Sequence, residues 1–473
     1  MKFYLAGKWQ DRDEVIDVLN PYSGEVVDTV PKGSPADAEA AVHAAVSGAR
    51  DMAALQGYDR FLILRQTTEL MRQRSEDLAQ TISREEGKTL REARGEVDRS
   101  AQTMELSGEE AKRLGGELLP LDGGKGTEGR LGFTLRVPCG VVAAITPFNF
   151  PLNLVCHKIG PALAAGNSVV LKPASDTPLV ALKLVEILLE SGLPPLGISC
   201  ITGSGSTIGD AICRDPRVRK ISFTGSQDVG EHICRIAGLK KVTMELGSNS
   251  PLIVLPDADL QKVTQATLSS GFANAGQVCI SAQRLIVCGE VYDSLLESLQ
   301  SGVAGIAAGD QLQEATQMGP MVREADAERV RQWVHEAVRQ GARLVCGGER
   351  SGAVMQPSLL DNVSANMKIV RDELFGPAVG ILRADSIDDA VRMANDTTFG
   401  LSAGVFTQDI DAALRFAREV HSGNIHINWG PMWRTDLMPY GGLKNSGLGK
   451  EGPKYAIDEM TEMKTVVIHS PGR

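Results

Sequence analysis

The sequence predicts an α/β protein: two domains built on parallel sheets with helices on both faces, plus a small β arm. Three observations carry this. From residue 141, short apolar strands recur roughly every 20–30 residues with helical stretches between them, as in a covered parallel sheet. From about residue 250 the same rhythm begins again. The full length, 473 residues, is enough for two or three domains. The expected division is 1–115 with 138–247, then 248–450, with 116–137 and 451–473 forming the arm.

Residues 1–33 read as short strands and turns, including Asn20-Pro21-Tyr22-Ser23-Gly24. Ser34 is a good N-cap and Pro35 suits the first helical position. Alanine-rich amphipathic helices then run to about Glu110, and Gly115-Gly116 ends them. Apolar alternation around Gly123-Gly124-Lys125-Gly126 predicts a protruding hairpin over 116–137. Strands follow at 141–145, 168–171, 197–201, 220–223 and 242–246, with a helix over 179–190 that Thr177-Pro178 would cap. The second set is 252–255, 285–287, 379–382, 404–407 and 424–428. The tail, 464–468, reads as a strand with no evident partner in its own domain.

Composition is that of a soluble globular chain, 42% hydrophobic and 23% charged. A net charge of −10 without a basic run argues against a nucleic-acid surface. No apolar stretch is long enough to span a membrane, and the N-terminus lacks a signal-peptide core. The eight cysteines are scattered with no C-x-x-C, so neither a disulfide framework nor a metal site is expected. A reducing cytoplasm fits that usage.

Six stretches carry polar residues where chemistry could occur. Cys279 lies in a loop or helix end between Gly276 and an apolar run. There a thiol is either a nucleophile with a lowered pKa or a buried structural cysteine. Asn149, in Thr146-Pro147-Phe148-Asn149-Phe150-Pro151, is a rigid carboxamide donor suited to an oxyanion, or a turn asparagine. Glu245 ends an apolar strand, as a general base or a salt-bridged residue. Three strand-to-helix junctions together favour a nucleotide cofactor: Lys172 to Ser175, the segment 202–209 with Gly205 and Gly209, and Phe223-Thr224-Gly225-Ser226.

Taken together, Pro147-Phe148-Asn149-Phe150-Pro151, Phe223-Thr224-Gly225-Ser226, Glu245-Leu246-Gly247, Gly276-Gln277-Val278-Cys279 and Glu373-Leu374-Phe375-Gly376-Pro377 resemble the aldehyde dehydrogenase superfamily, in order and over essentially the whole chain. The resemblance implies a Rossmann-like NAD(P)-binding domain, a catalytic domain and an oligomerisation arm, in a homodimer or homotetramer. It implies that Cys279 attacks a small-molecule aldehyde, that Asn149 and the Cys279 N–H hold the oxyanion, and that Glu245 activates water against a thioester. The implied cofactor residues are Thr146, Pro147, Phe148, Lys172, Ser175, Gly205, Gly209, Phe223, Thr224, Gly225, Ser226, Leu246, Glu373 and Phe375. Lys172 would take the adenosine ribose, Ser226 the pyrophosphate and Glu373 the nicotinamide ribose, with Phe375 beside the nicotinamide.

Two departures from the family pattern bear on specificity. Ser175 stands where many NAD-specific relatives carry Glu, so either NAD or NADP is admissible. His157 and Arg434 stand at positions that are often aromatic, which points to a small polar or anionic aldehyde: lactaldehyde or glycolaldehyde, a semialdehyde, or a phospho- or sulfo-aldehyde. Arg434 could instead pair with Asp436, and His157 could simply pack against its helix. A coenzyme-A-acylating enzyme is the alternative activity, and Glu245 argues against it.

Overall fold

A computed structural model describes residues 1–469. The first sheet has eight strands. Its centre is five parallel strands in the order Ile198–Cys200, Ser168–Lys172, Val141–Ile145, Val218–Thr224 and Lys241–Glu245. Phe3–Leu5 and Lys8–Gln10 extend one edge and Gly447–Leu448 the other, all antiparallel. The second sheet has seven strands, ordered Arg343–Cys346, Ser358–Asp361, Ala378–Ala384, Arg284–Cys288, Pro251–Val254, Ser402–Phe406 and Asn424–Ile427. All its pairings are parallel except that of Arg343–Cys346. Val, Ile, Leu and Ala side chains make up most of both cores, filled in by Met and Phe.

Local signals set the first helices. Pro35–Ala54 starts at a capping box: Ser34 Oγ accepts the Asp37 N–H at 3.3 Å and the Asp37 carboxylate accepts the Ser34 N–H at 2.8 Å. Gly57–Gln73, Ser75–Glu86 and Leu90–Ala111 follow. Every residue of Asn153–Ala164 is buried, so this helix lies inside the domain beneath the sheet. The helix Leu179–Glu190 is not capped by Thr177-Pro178 as expected. The Glu85 carboxylate, far away in sequence, accepts the N–H groups of Leu179 and Val180 at 2.7 and 3.0 Å.

The tail strand does have a partner in its own chain. Thr461–His469 runs antiparallel to Arg130–Pro138 over its whole length, and Leu118–Leu119 pairs on the other side. Pairing of strands more than 300 residues apart leaves no local trace, which is why the tail read as unpaired. The end of the expected arm, 470–473, lies outside the described residues. Among the described residues no helix is long and apolar enough to cross a membrane, and no cluster of His, Cys, Asp and Glu is placed to hold a metal.

Candidate active site

Cys279 is presented by a left-handed turn. After the helix Leu260–Phe272, Asn274, Ala275 and Gly276 have φ of 49°, 52° and 69°. Gly276 is required here, because a Cβ would sit 2.2 Å from the Gly376 carbonyl oxygen. Asn274 is pinned by three acceptors. Its N–H donates to Glu92 at 2.8 Å, and its amide donates to Glu86 at 2.8 Å and to the Asn149 carbonyl at 3.1 Å. These bonds hold two consecutive non-glycine residues in a sparsely populated conformation next to the thiol.

Asn149 leaves the strand Val141–Ile145 and meets that turn. Its side-chain amide donates to the Gln277 carbonyl at 2.8 Å, and its Oδ1 is buried without a partner. Its own carbonyl also accepts Lys88 Nζ at 2.8 Å. Lys88 is paired at 2.7 Å with Glu96, whose other oxygen takes the N–H groups of Leu152 and Asn153 at 3.0 Å each. Sequence reasoning missed Lys88, Glu96, Asn274 and Gln277. A usable signal existed: Glu92 and Glu96 stand four apart on one helix face whose other residues are small or apolar.

A cavity of about 250 Å³ opens beside Cys279, lined also by Phe150, Met432, Arg434 and Tyr440. Burial pushes the Cys279 thiol up to about 12, and the Tyr440 hydroxyl, 3.2 Å from Sγ, pulls the other way. Glu245, at the end of Lys241–Glu245, is buried, and neither oxygen has a hydrogen-bond partner among the described residues. Burial and the nearby Glu451 raise its pKa well above the ordinary range. Glu451 behaves oppositely. Lys158 at 2.9 Å and Arg434 at 3.2 Å hold it ionised despite its burial. Two neighbouring carboxyls thus differ because one is paired and the other is not.

Arg434 is placed in the cavity wall, its side chain 6% exposed. It pairs with Glu451 rather than with Asp436, and its Nε is buried with no hydrogen-bond partner among the described residues. Asp436 is engaged elsewhere, by His157 at 3.0 Å, Arg99 at 3.3 Å and Thr103 at 2.9 Å. His157 does not line the cavity as expected of a substrate residue. It is fully buried behind Arg434, with ring nitrogens 3.1 and 3.3 Å from Nη2, and burial and that guanidinium lower its pKa.

Apart from Glu373 and Phe375, the expected cofactor residues lie at the carboxyl ends of the first sheet's strands or in the loops and turns that follow them. Lys172 ends its strand, its Nζ donating to the Pro173 carbonyl at 3.1 Å, and burial brings it down to about 8. Ser175 donates to the Gly203 carbonyl at 3.1 Å, and the Asp176 carboxylate is held by Arg323 at 2.9 Å. Gly205–Gly209 forms a wide helical turn leading into Asp210–Arg214, with Gly209 packed by Lys172. The Phe223 ring lies under Gly225, where a Cβ would come within 2.5 Å of it. The Thr224 hydroxyl is committed to Lys158 at 2.7 Å. Ser226 precedes the helix Gln227–Ala237 without capping it, which leaves the first amides of that helix open. Leu246 is anchored through its N–H to the Ser446 carbonyl at 3.0 Å.

Across the cleft, Glu373 accepts the Ser248 N–H at 3.0 Å and crowds Gly247, where a Cβ would be 2.2 Å away. Burial raises its carboxyl to about 7. Ser226 and Glu373 line one cavity of about 890 Å³. Phe375, at φ 47°, meets Phe148 edge-on at 5.9 Å, beyond half-buried Pro147 and the unpartnered buried hydroxyl of Thr146.

Residues 9–466 match the model of the aldehyde dehydrogenase family. A 3-sulfolactaldehyde dehydrogenase of Priestia megaterium is 46% identical over 98% of this chain and 97% of its own. The NADP(+) succinate-semialdehyde dehydrogenase of Escherichia coli is 40% identical over 98% of this chain and 97% of its own. The crystal structure of aldehyde dehydrogenase 21 from Physcomitrella patens, in complex with the reaction product succinate, superposes with a TM-score of 0.96 at 39% identity, over 99% of this chain and 98% of that one. The chain belongs to the aldehyde dehydrogenase family.

Proposed function

We propose that this enzyme oxidises a small anionic aldehyde to its carboxylic acid, using NAD(P)+ and Cys279 as nucleophile. The observation that carries the reading is Arg434, a buried guanidinium with an unpartnered Nε in the wall of the Cys279 cavity. A forked donor there suits a carboxylate, phosphate or sulfonate. Relatives named for sulfolactaldehyde and succinate semialdehyde support the same class.

The steps follow from the residues. The Cys279 thiolate adds to the aldehyde carbon, and the carbonyl electron pair moves to oxygen. The second N–H of the Asn149 amide and the Cys279 N–H hold that oxyanion. Collapse expels hydride and leaves a thioester on Cys279. Glu245, in its ionised form, takes a proton from water, which attacks the thioester. The C–S bond then breaks, returning the thiolate and releasing the acid. A bound nicotinamide supplies the hydride acceptor.

The cleft fits such a cofactor through the open helix amides after Ser226, the unpartnered Thr146 hydroxyl and the Glu373 carboxyl. Lys172 would hold the adenosine ribose. With Asp176 tied to Arg323, no carboxylate stands free at Ser175 to repel a 2′-phosphate, so NADP is accepted. In this reading 1–115 and 138–247 bind the cofactor and 248–450 supply the nucleophile. The arm, with exposed Leu131, Leu135, Met463 and Ile468, is an assembly surface.

The test is formation of reduced cofactor by purified enzyme with a panel of anionic and neutral aldehydes, alongside Cys279→Ala. Turnover of anionic aldehydes by wild type only, with cofactor binding retained in the variant, is expected. Appreciable turnover by Cys279→Ala would overturn the assignment.

A further inference from the structure

Tyr440 is buried in the cavity wall with its hydroxyl 3.2 Å from Cys279 Sγ. While the sulfur carries its proton, either group can donate. Once the sulfur ionises, only the hydroxyl can, because a thiolate has no hydrogen to give. The tyrosine is firmly held. Its backbone exchanges two hydrogen bonds with Glu451, at 3.1 and 2.7 Å, and the Arg434 guanidinium lies 3.8 Å over its ring centroid. Burial and the adjoining Cys279 keep the phenol protonated, well above its ordinary pKa, so it serves as a donor and not as a base.

We propose that Tyr440 is a catalytic residue whose hydroxyl donates to the Cys279 thiolate and sets the pH at which the nucleophile becomes available. The O–H bond of Tyr440 stays intact throughout, and the thiol proton leaves to solvent before the C–S bond forms. The need for such a donor is visible in the surroundings. Burial opposes the thiolate, and so do the carboxyls of Glu245, from the first sheet, and Glu373, from the loop before Ala378–Ala384. Opposing them are the Tyr440 hydrogen bond and the charge of Arg434. Arg434 therefore touches both the proposed substrate anion site and the ring that supports the nucleophile.

The inference rests on Cys279 being the nucleophile, but its principal test does not need turnover. Full-length, cofactor-free wild type and Tyr440→Phe are labelled with iodoacetamide between about pH 6 and pH 10, and modification of the Cys279 peptide is timed by mass spectrometry. Thiolate is followed in parallel by its ultraviolet absorbance up to about pH 11, on the rising edge of a titration whose midpoint burial pushes up to about 12, as the difference from the matching Cys279→Ala protein. Phe keeps the ring beneath Arg434. Tyr440→Leu, which keeps neither ring nor hydroxyl, is the second variant and should move at least as far. The expected result is labelling roughly tenfold slower at a given pH, with the thiolate titration moved up by about one unit. The kcat/KM for the aldehyde should fall in parallel. Equal labelling rates would overturn the proposal. So would slower labelling with an unmoved thiolate titration, which marks a packing effect. So would a loss confined to 2-hydroxy aldehydes with labelling unchanged, which marks a substrate contact. Turnover by Cys279→Ala would instead defeat the reading of the nucleophile.

Discussion

The side-chain amide of Asn149 donates to the main-chain carbonyl of Gln277, two residues before Cys279, at 2.8 Å. This bond ties the loop after the strand Val141–Ile145 to the loop that presents the thiol, so the proposed oxyanion donor and the nucleophile share one frame. Lys88 and Asn274 complete it by donating to the Asn149 carbonyl.

Asn149→Ala should lower the rate of the first reduced-cofactor burst by about 10²–10³, the scale of one lost oxyanion donor. Iodoacetamide labelling of Cys279 should change far less than the burst, since Lys88 and Asn274 still hold the main-chain carbonyl at that position. Stopped-flow bursts and timed labelling measure the two separately. An unchanged burst would remove Asn149 from the oxyanion site.

Glu245→Gln should slow thioester hydrolysis more than acylation, giving a burst of reduced cofactor followed by slow turnover. Steady-state rates equal to wild type would show that Glu245 is not the base. The raised pKa of Glu245 also has a stability consequence. The fold favours the neutral carboxyl, so its contribution is full below the unfolded value of about 4.3 and declines as pH rises toward the higher folded value. Glu245→Gln should flatten that decline in denaturant titrations run across the range.

Ser175→Glu should shift preference toward NAD. The native serine is bonded to the Gly203 carbonyl, and Asp176 is occupied by Arg323, so the new carboxylate would be the charge that meets a 2′-phosphate. The ratio of kcat/KM for the two cofactors measures the shift, and an unchanged ratio counts against the placement.

Arg434→Leu should lose roughly 2–4 kcal/mol of transition-state binding to an anionic aldehyde and much less to a neutral one of similar length. The substitution also leaves Glu451 with Lys158 as its remaining close ion-pair partner, so some loss of thermal stability is expected for any substrate. The comparison of kcat/KM for the two aldehydes separates these effects. Equal losses would make Arg434 structural.

The parts of this protein legible in its sequence are those whose causes are local. Apolar runs marked the five parallel strands of the first sheet and five of the seven in the second to within a residue or two, because a buried parallel strand needs continuous Val, Ile and Leu, whereas Arg343–Cys346, Ser358–Asp361 and Gly447–Leu448 were not read. Ser34-Pro35 announced its helix because capping is completed within four residues. Cys279, Asn149 and Glu245 stood out because strand ends and glycine turns bring chemistry to one edge of an α/β sheet. What only the tertiary structure decided depends on partners distant in sequence. Examples are the Glu85 cap on Leu179–Glu190, the pairing of Thr461–His469 with Arg130–Pro138, and the choice of Glu451 over Asp436 by Arg434. His157 left the expected substrate wall for the same reason: Asp436 and Arg434 take its ring into the interior. A charged side chain in the core is satisfied by whichever group the packing brings within about 3 Å, and sequence spacing carries no record of that distance.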